Sequence, residues 1–259
     1  MKKIATLLLA TILLFSGCKG VNAFDRFKSL ESSARSASGA IFLNHDGERQ
    51  FICSGTEIGL TPDGGGIFLT ARHCVANPET HAINKNLTVS FSDNQAGPYY
   101  DAEPIALSLT DDIALLYLRN GSSIPMVRIS DERKLSPGDP IFNVSFPLGT
   151  GKYTFHGEFL SSVFKVFIDG MPLEWLYALP MNLTIAPGSS GSGIFSQKQH
   201  ALIAVAVGTT RNGGFNIAIP ATRVLYLLHD LRDNTVEKYK QAFPEKEEDL
   251  LELLFGHRR

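Results

Sequence analysis

The sequence predicts an all-β body, as a barrel or a sandwich, from three observations. Short runs rich in Val, Ile and Phe recur at close spacing along most of the chain. Turn-forming residues separate them, with 23 Gly and 13 Pro in 259 residues. Apolar residues make up 44% and charged residues 19%, enough to bury a core in one domain or two small ones. The net charge is −2 and Lys and Arg are scattered, which gives no basis for a nucleic-acid surface.

Residues 1–23 read as a signal peptide. Lys2 and Lys3 form its positive start, and Ile4 to Phe15 is an apolar run too short to span a bilayer as a mature helix. Two cleavage readings compete. Phe15-Ser16-Gly17-Cys18 is similar to the bacterial lipoprotein signal, in which Cys18 would be lipidated and attach the protein to a membrane; Phe15 departs from the aliphatic residue expected there. Val21-Asn22-Ala23 is similar to an ordinary small-residue cleavage site. We prefer the lipoprotein reading, and both take the protein out of the cytoplasm. With Cys18 lipidated or removed, two of three cysteines remain. In an oxidising compartment Cys53 and Cys74 are expected to bond, adding about 3 kcal/mol by constraining the unfolded chain. The alternative is two buried thiols. No metal is expected, because no second close Cys/His pair lies nearby.

Residues 24–38 form a polar leader, read as part linker and part short helix. Strand-like runs follow at Ala40–Leu43, Gln50–Leu60, Ile67–Ala71, Leu87–Phe91, Pro104–Ser108 and Ile113–Leu118. Thr61-Pro62-Asp63-Gly64-Gly65-Gly66 is the turn between the second and third. Asn120 to Pro140 is polar and reads as a connector. Further runs lie at Ile141–Phe146, Lys152–Phe159, Val163–Ile168, Trp175–Leu183, Gly193–Ser196, Ala201–Val207 and Phe215–Ile219. Pro220 then opens a helical pattern over Ala221–Arg232, with Val224, Leu225, Leu227, Leu228 and Leu231 apolar. The charged tail, 233–259, carries a second helix signal from Pro244 to Phe255, with acids in its early turns and Gly256 after its end.

Between two apolar runs lies Ala186-Pro187-Gly188-Ser189-Ser190-Gly191-Ser192-Gly193. Such a loop can present one hydroxyl and aim successive backbone N–H groups at one point, as acyl transfer requires. Alone it is as well explained as a linker or turn. Two upstream motifs change that. His73 ends a strand beside Cys74, and Asp112 opens the apolar run Asp112-Ile113-Ala114-Leu115-Leu116. The chain order His, Asp, Ser is one of three known for such a triad and goes with double β-barrels.

At these residues the chain resembles the chymotrypsin-like (trypsin-like) serine proteases. The resemblance rests on Leu69-Thr70-Ala71-Arg72-His73-Cys74, Asp112-Ile113-Ala114-Leu115-Leu116 and Gly188-Ser189-Ser190-Gly191-Ser192, and covers about residues 36–232. Within the family it is most similar to the bacterial HtrA-like and glutamyl-endopeptidase branch. The nucleophile loop and Phe215-Asn216-Ile217-Ala218-Ile219-Pro220 carry that likeness. No PDZ-like module is expected after the body. The resemblance implies two packed antiparallel six-stranded β-barrels, residues 39–125 and 126–232, the second with a C-terminal helix.

It also implies roles. Ser190 is the nucleophile, His73 the general base and Asp112 the residue that fixes the imidazole. The N–H groups of Gly188 and Ser190 form the oxyanion hole, where a Cβ at 188 would block the geometry. Thr184, Ala206, Val207 and Gly208 line a neutral substrate pocket suited to a small or apolar side chain. Ser189 stands where many digestive members carry an Asp, so activation by N-terminal insertion is not expected. Ser192-Gly193 replaces the common Gly-Pro. Taken singly, His73 also fits a core or surface imidazole, and Asp111-Asp112 a turn before a strand. Asp111 and Arg72 are expected to be solvated. The expected partner is a peptide or protein substrate; no cofactor, metal or oligomeric state is assigned. The alternatives are a catalytically silent binding protein on this fold and a serine esterase.

Overall fold

The structure, a computed structural model, describes residues 23–61, 63–77, 80, 82–161, 163–166, 176–209 and 216–234. The signal segment with Cys18 and the charged tail after residue 234 lie outside the described residues. Residues 24–38 are not part linker: Ala23–Ala37 form a single helix, α1. Its buried residues Leu30, Ala34 and Ala37 recur at helical spacing and join the core.

The first barrel closes in the order β1 (Ser38–His45), β2 (Glu48–Leu60), β3 (Gly66–Thr70), β6 (Ala114–Leu118), β5 (Tyr99–Leu107) and β4 (Leu87–Ser90). The second is built from β7 (Pro140–Ser145), β8 (Tyr153–Phe159), β10 (Leu176–Asn182), β11 (Gly193–Ser196), β12 (Ala201–Thr209) and β13 (Asn216–Pro220). Pairing of β13 with β10 closes this ring, and β9 (Phe164–Val166) lies outside it against β10. Closure removes the exposed strand edges that would otherwise invite pairing with other chains. The helix α2 (Ala221–Asn234) follows β13 directly.

In the second barrel β7, β11 and β12 are buried on both faces, unlike β8. In β7, Ile141 points into that barrel's own core, whereas Phe142 and Val144 join the larger core shared by the first barrel and α2. In β11, Ile194 and Phe195 divide in the same way. Phe142 and Phe195 stack with ring centroids 5.1 Å apart. Burying each such large side chain contributes roughly 1.5–3 kcal/mol, so this shared layer fixes how the barrels sit together.

Three features of this frame were not expected from the sequence. The buried carboxylate of Glu132 accepts hydrogen bonds from Thr222 N at 3.0 Å and Thr222 Oγ1 at 2.7 Å, capping α2 from the connector. Glu57 is fully buried in β2, and desolvation pushes its carboxyl well above the usual carboxylate range. Asp111 is not solvated: it is buried and takes Nε and Nη2 of Arg223 on α2 at 2.9 and 2.7 Å.

Cys53 in β2 and Cys74 after β3 form a disulfide across 21 residues of sequence. Replacing both with Ala is expected to lower unfolding free energy by about 3 kcal/mol, read from denaturant titrations with and without reductant. In the wild type reductant should reproduce the loss, and in the variant it should do nothing.

Candidate active site

His73 lies on a 3₁₀ turn, Arg72–Cys74, immediately after β3. The disulfide at Cys74 ties that turn back to β2. Asp112 lies just before β6, the strand that pairs with β3, so register brings the two residues to the same end of the barrel. There Asp112 accepts two hydrogen bonds from one residue. Its Oδ1 takes His73 N at 2.9 Å, and its Oδ2 lies 2.6 Å from His73 Nδ1. The carboxylate is 4% exposed and the imidazole 25% exposed, so the pair is shielded from water and the ring still has an open side. Burial pulls the imidazole's pKa down, but the hydrogen bond and negative charge of Asp112 together outweigh it, and His73 sits above its ordinary value.

The turn carrying Asp112 is itself held from both sides. Ser108 Oγ receives Asp111 N at 3.1 Å, and Ser108 N donates to Ile113 O at 3.0 Å. Arg72, expected in solvent, instead donates from Nη1 to Ser108 O at 2.9 Å. With the Arg223–Asp111 pair, the C-terminal helix and the His73 turn clamp the same five residues. A buried ion pair of this kind specifies position more than it adds stability.

Ser190 comes to this place on the loop before β11. Its carbonyl accepts Ser54 N at 2.9 Å and lies 3.8 Å from Cys74 Sγ, beside His73. Its Oγ donates to Val207 O at 3.5 Å, and among the described residues that is its side-chain hydrogen bond. Within the loop, Ser189 N donates to Ala186 O, Gly191 N to Ala206 O and Ser192 N to Ser189 O. The N–H groups of Gly188 and Ser190 have no acceptor among the described residues. These two uncommitted donors are the two that the resemblance implies for an oxyanion. Gly188 has φ +90°, and an added Cβ would lie 2.6 Å from Phe51 Cε1 and 2.9 Å from Phe146 O. Only Gly fits there without displacing a neighbour.

The expected pocket residues divide. Val207 offers its carbonyl to Ser190, and Gly208 has open space where a side chain would begin. Thr184 is exposed and lines a cleft of about 530 Å³ with Asn182, Ile185, His156, Glu158 and Asn216. Ala206 differs: its methyl is fully buried in the second barrel's core with Ile194 and Ile203, and only its backbone serves the loop, through Ala206 N to Ser192 O. Cys53, His73 and Cys74 cluster closely enough for a metal, but both thiols are consumed by the disulfide.

The model of the trypsin-like peptidase domain matches residues 53–205, more than half of the chain. The chain belongs to this family. It is 28% identical over 175 residues to the periplasmic pH-dependent serine endoprotease DegQ of Escherichia coli (strain K12), covering 66% of this chain and 37% of that protein. It is 26% identical over 182 residues to a probable periplasmic serine endoprotease, DegP-like, of Pseudomonas putida (strain GB-1), covering 67% and 34%. The chain therefore spans a little over a third of the length of these relatives. Among solved structures, the HtrA-type protease AlgW with a decapeptide superimposes with a TM-score of 0.64 at 16% identity, over 80% of this chain and 68% of that one.

Sequence reasoning missed Ser54, Asp111 and Arg223 as parts of the site's frame. Asp-Asp before an apolar run marks a carboxylate but not which of the two meets a cation 112 positions later. For His73, histidine NMR should show a titration midpoint above the ordinary 6.5. In Asp112→Asn the midpoint should fall below 6.5, because burial then acts unopposed.

Proposed function

We propose that this chain is an exported serine endopeptidase that cleaves peptide bonds through an acyl-enzyme. The single observation that carries the reading is the Asp112-bound imidazole, next in sequence to a cysteine in contact with the Ser190 carbonyl, beside a loop whose Gly188 and Ser190 N–H groups are uncommitted among the described residues. The periplasmic relatives support export and a peptide or protein substrate. Among the described residues no helix is long and apolar enough to cross a membrane. The lipid on Cys18 remains our reading of the signal segment, and membrane attachment rests on it alone.

In this reading Ser190 Oγ leaves Val207 O, gives its proton to His73 Nε2 and attacks the scissile carbonyl. Resting hydrogen bonds in such sites are often long or misaligned and tighten when substrate arrives. Asp112 holds Nδ1 protonated, so that Nε2 is the basic nitrogen, and it stabilises the imidazolium that forms. The carbonyl oxygen, now negative, takes the N–H groups of Gly188 and Ser190, each worth roughly 3 kcal/mol in the transition state. His73 returns the proton to the leaving amine, and water repeats the sequence on the ester. Because the imidazolium cannot accept a proton, activity is lost as pH falls through the raised His73 value. The acid limb should therefore lie above that of an ordinary histidine. Val207 and Gly208 flank a neutral pocket for a small or apolar side chain; Thr184 lies at its approach.

The test is labelling of the mature, oxidised protein with a fluorophosphonate, followed by profiling on chromogenic peptides. Ser190→Ala should abolish labelling and lower kcat by about 10⁶-fold with the fold intact. Gly188→Ala should lower kcat by about 10²–10³-fold. No labelling of the wild type would leave a binding protein on a peptidase fold. Labelling with hydrolysis of esters but no peptides would make the protein an esterase. Preferred cleavage after Glu or Arg would remove the neutral pocket.

A further inference from the structure

We propose that Lys152 is a positioning residue that links the N-terminal helix α1 to the Gly188 N–H, so that docking of the helix completes the oxyanion hole. The inference rests on the serine-hydrolase reading of Gly188 and adds to it a control element far from the reacting atoms.

Lys152 lies just before β8, and its side chain is 2% exposed. A buried ammonium needs partners on every side. Here Nζ donates to Arg35 O in the last turn of α1 at 2.7 Å and to Phe91 O after β4 at 2.6 Å. Asp93 Oδ1 lies 3.3 Å from it. The Arg35 side chain closes the group, with Nη2 2.8 Å from Asp93 Oδ2 and Nη1 3.2 Å from Thr154 Oγ1. A cation at a helix C-terminus meets the last carbonyls and the negative end of the helix dipole. The ammonium also stands 5.5 Å from the centroid of the Phe146 ring.

From Lys152 the chain runs back along 146–151 to the nucleophile loop. That segment turns sharply, with Leu148, Gly149 and Gly151 at φ of +54°, +65° and +134°; the two glycines take such angles freely, whereas Leu148 does not. Non-Gly residues avoid the left-handed region, so Leu148 stays there only because its surroundings impose it. One anchor is Leu148 N to Pro187 O at 2.7 Å, on the residue before Gly188. The other is Lys152, through its Nζ and through its N to Asp93 O at 3.0 Å. Phe146 O and the Phe51 ring together wall Gly188, and Gly149 packs on the same Phe51 ring. Releasing Lys152 frees the far end of a strained segment whose near end sets the peptide that aims the Gly188 N–H. The device differs from N-terminal insertion at a nucleophile-loop Asp, because the contact is to a helix carbonyl and the neighbour of Ser190 is Ser189.

The experiment compares the wild type with Lys152→Met, Leu30→Asp (which undocks α1) and the double variant, all in the mature chain. For each, we would measure kcat and KM on the best peptide, the affinity for a matching peptidyl boronate, the melting temperature and the ¹⁵N–¹H resonance of the Gly188 amide. Lys152→Met is expected to lower kcat and boronate affinity together by about 10–100-fold, with KM within about twofold, and to shift or broaden the Gly188 amide. Leu30→Asp should do the same, and the double variant should be no worse than the more damaged single, since both act through one path. A lower melting temperature with kcat, boronate affinity and the Gly188 amide unchanged would make Lys152 a structural lysine and overturn the proposal. If Lys152→Met fails to fold, Leu30→Asp decides by the same readouts. A wild type that a fluorophosphonate does not label would refute the hydrolase reading, while the Gly188 amide would still decide the link.

Discussion

Ser54 sits where the two barrels meet, fully buried, and three hydrogen bonds converge on it from the other half of the molecule. Its N donates to Ser190 O at 2.9 Å, its Oγ donates to Gly188 O at 2.7 Å, and the same Oγ accepts Phe146 N at 3.0 Å. One residue of β2 thereby fixes both ends of the stretch from Gly188 to Ser190. The cross-barrel tie is extended by Gly193 N to Thr56 Oγ1 at 3.0 Å, and an added Cβ at Gly191 would strike Thr70 Oγ1 and Ser54 O. The nucleophile loop belongs to the second barrel in sequence and is held from both sides in space, by Ser54 of the first barrel and by Ala206 of the second. Each bond contributes only about 1 kcal/mol net, yet an unpaired buried group costs about 1–3 kcal/mol. The geometry is kept less by the strength of these bonds than by the cost of every alternative.

The same economy governs the charges. Asp112 is nearly buried and is satisfied by two donors from His73, so the imidazole has one orientation that does not strand a carboxylate. Asp111, its neighbour, faces the opposite way into Arg223 and Thr110 Oγ1. Adjacent acids with separate partners, an imidazole for one and a guanidinium for the other, cannot exchange roles without leaving a buried carboxylate unpaired. Fixing the carboxylate fixes the ring, whose neighbour Cys74 lies against the Ser190 carbonyl.

Much of this was legible in the sequence, for reasons that are physical. β2, β7, β11 and β12 read as strands because β-branched and aromatic residues recur between turn signals; that spacing left a barrel or a sandwich open, and the family resemblance implied the two barrels. The His73 and Asp112 turns are each ordinary taken singly, and stand out through their chain order with the Gly-Ser loop. Gly188 was expected to exclude a side chain, and Phe51 and Phe146 show why. The rest depended on partners far along the chain. Among the described side chains of α1, Leu30, Ala34 and Ala37 meet the core, a stripe too weak to distinguish from a polar leader. Asp111, Arg72 and Ser54 have ordinary identities, and only closure of the barrels supplies their partners. The methyl of Ala206 turns into the core because β12 is covered on both faces, which composition alone does not reveal.

The proposed chemistry requires the seam at Ser54 to align one hydroxyl, one imidazole and two amides. The most direct measurement is a crystal structure of the oxidised protein with a peptidyl boronate bound. It should show boron bonded to Ser190 Oγ, a boronate oxygen within about 3.2 Å of the Gly188 and Ser190 amides, and His73 Nε2 at hydrogen-bond distance. A boronate bonded to another residue, or seated at Ser190 with both amides turned away, would contradict it.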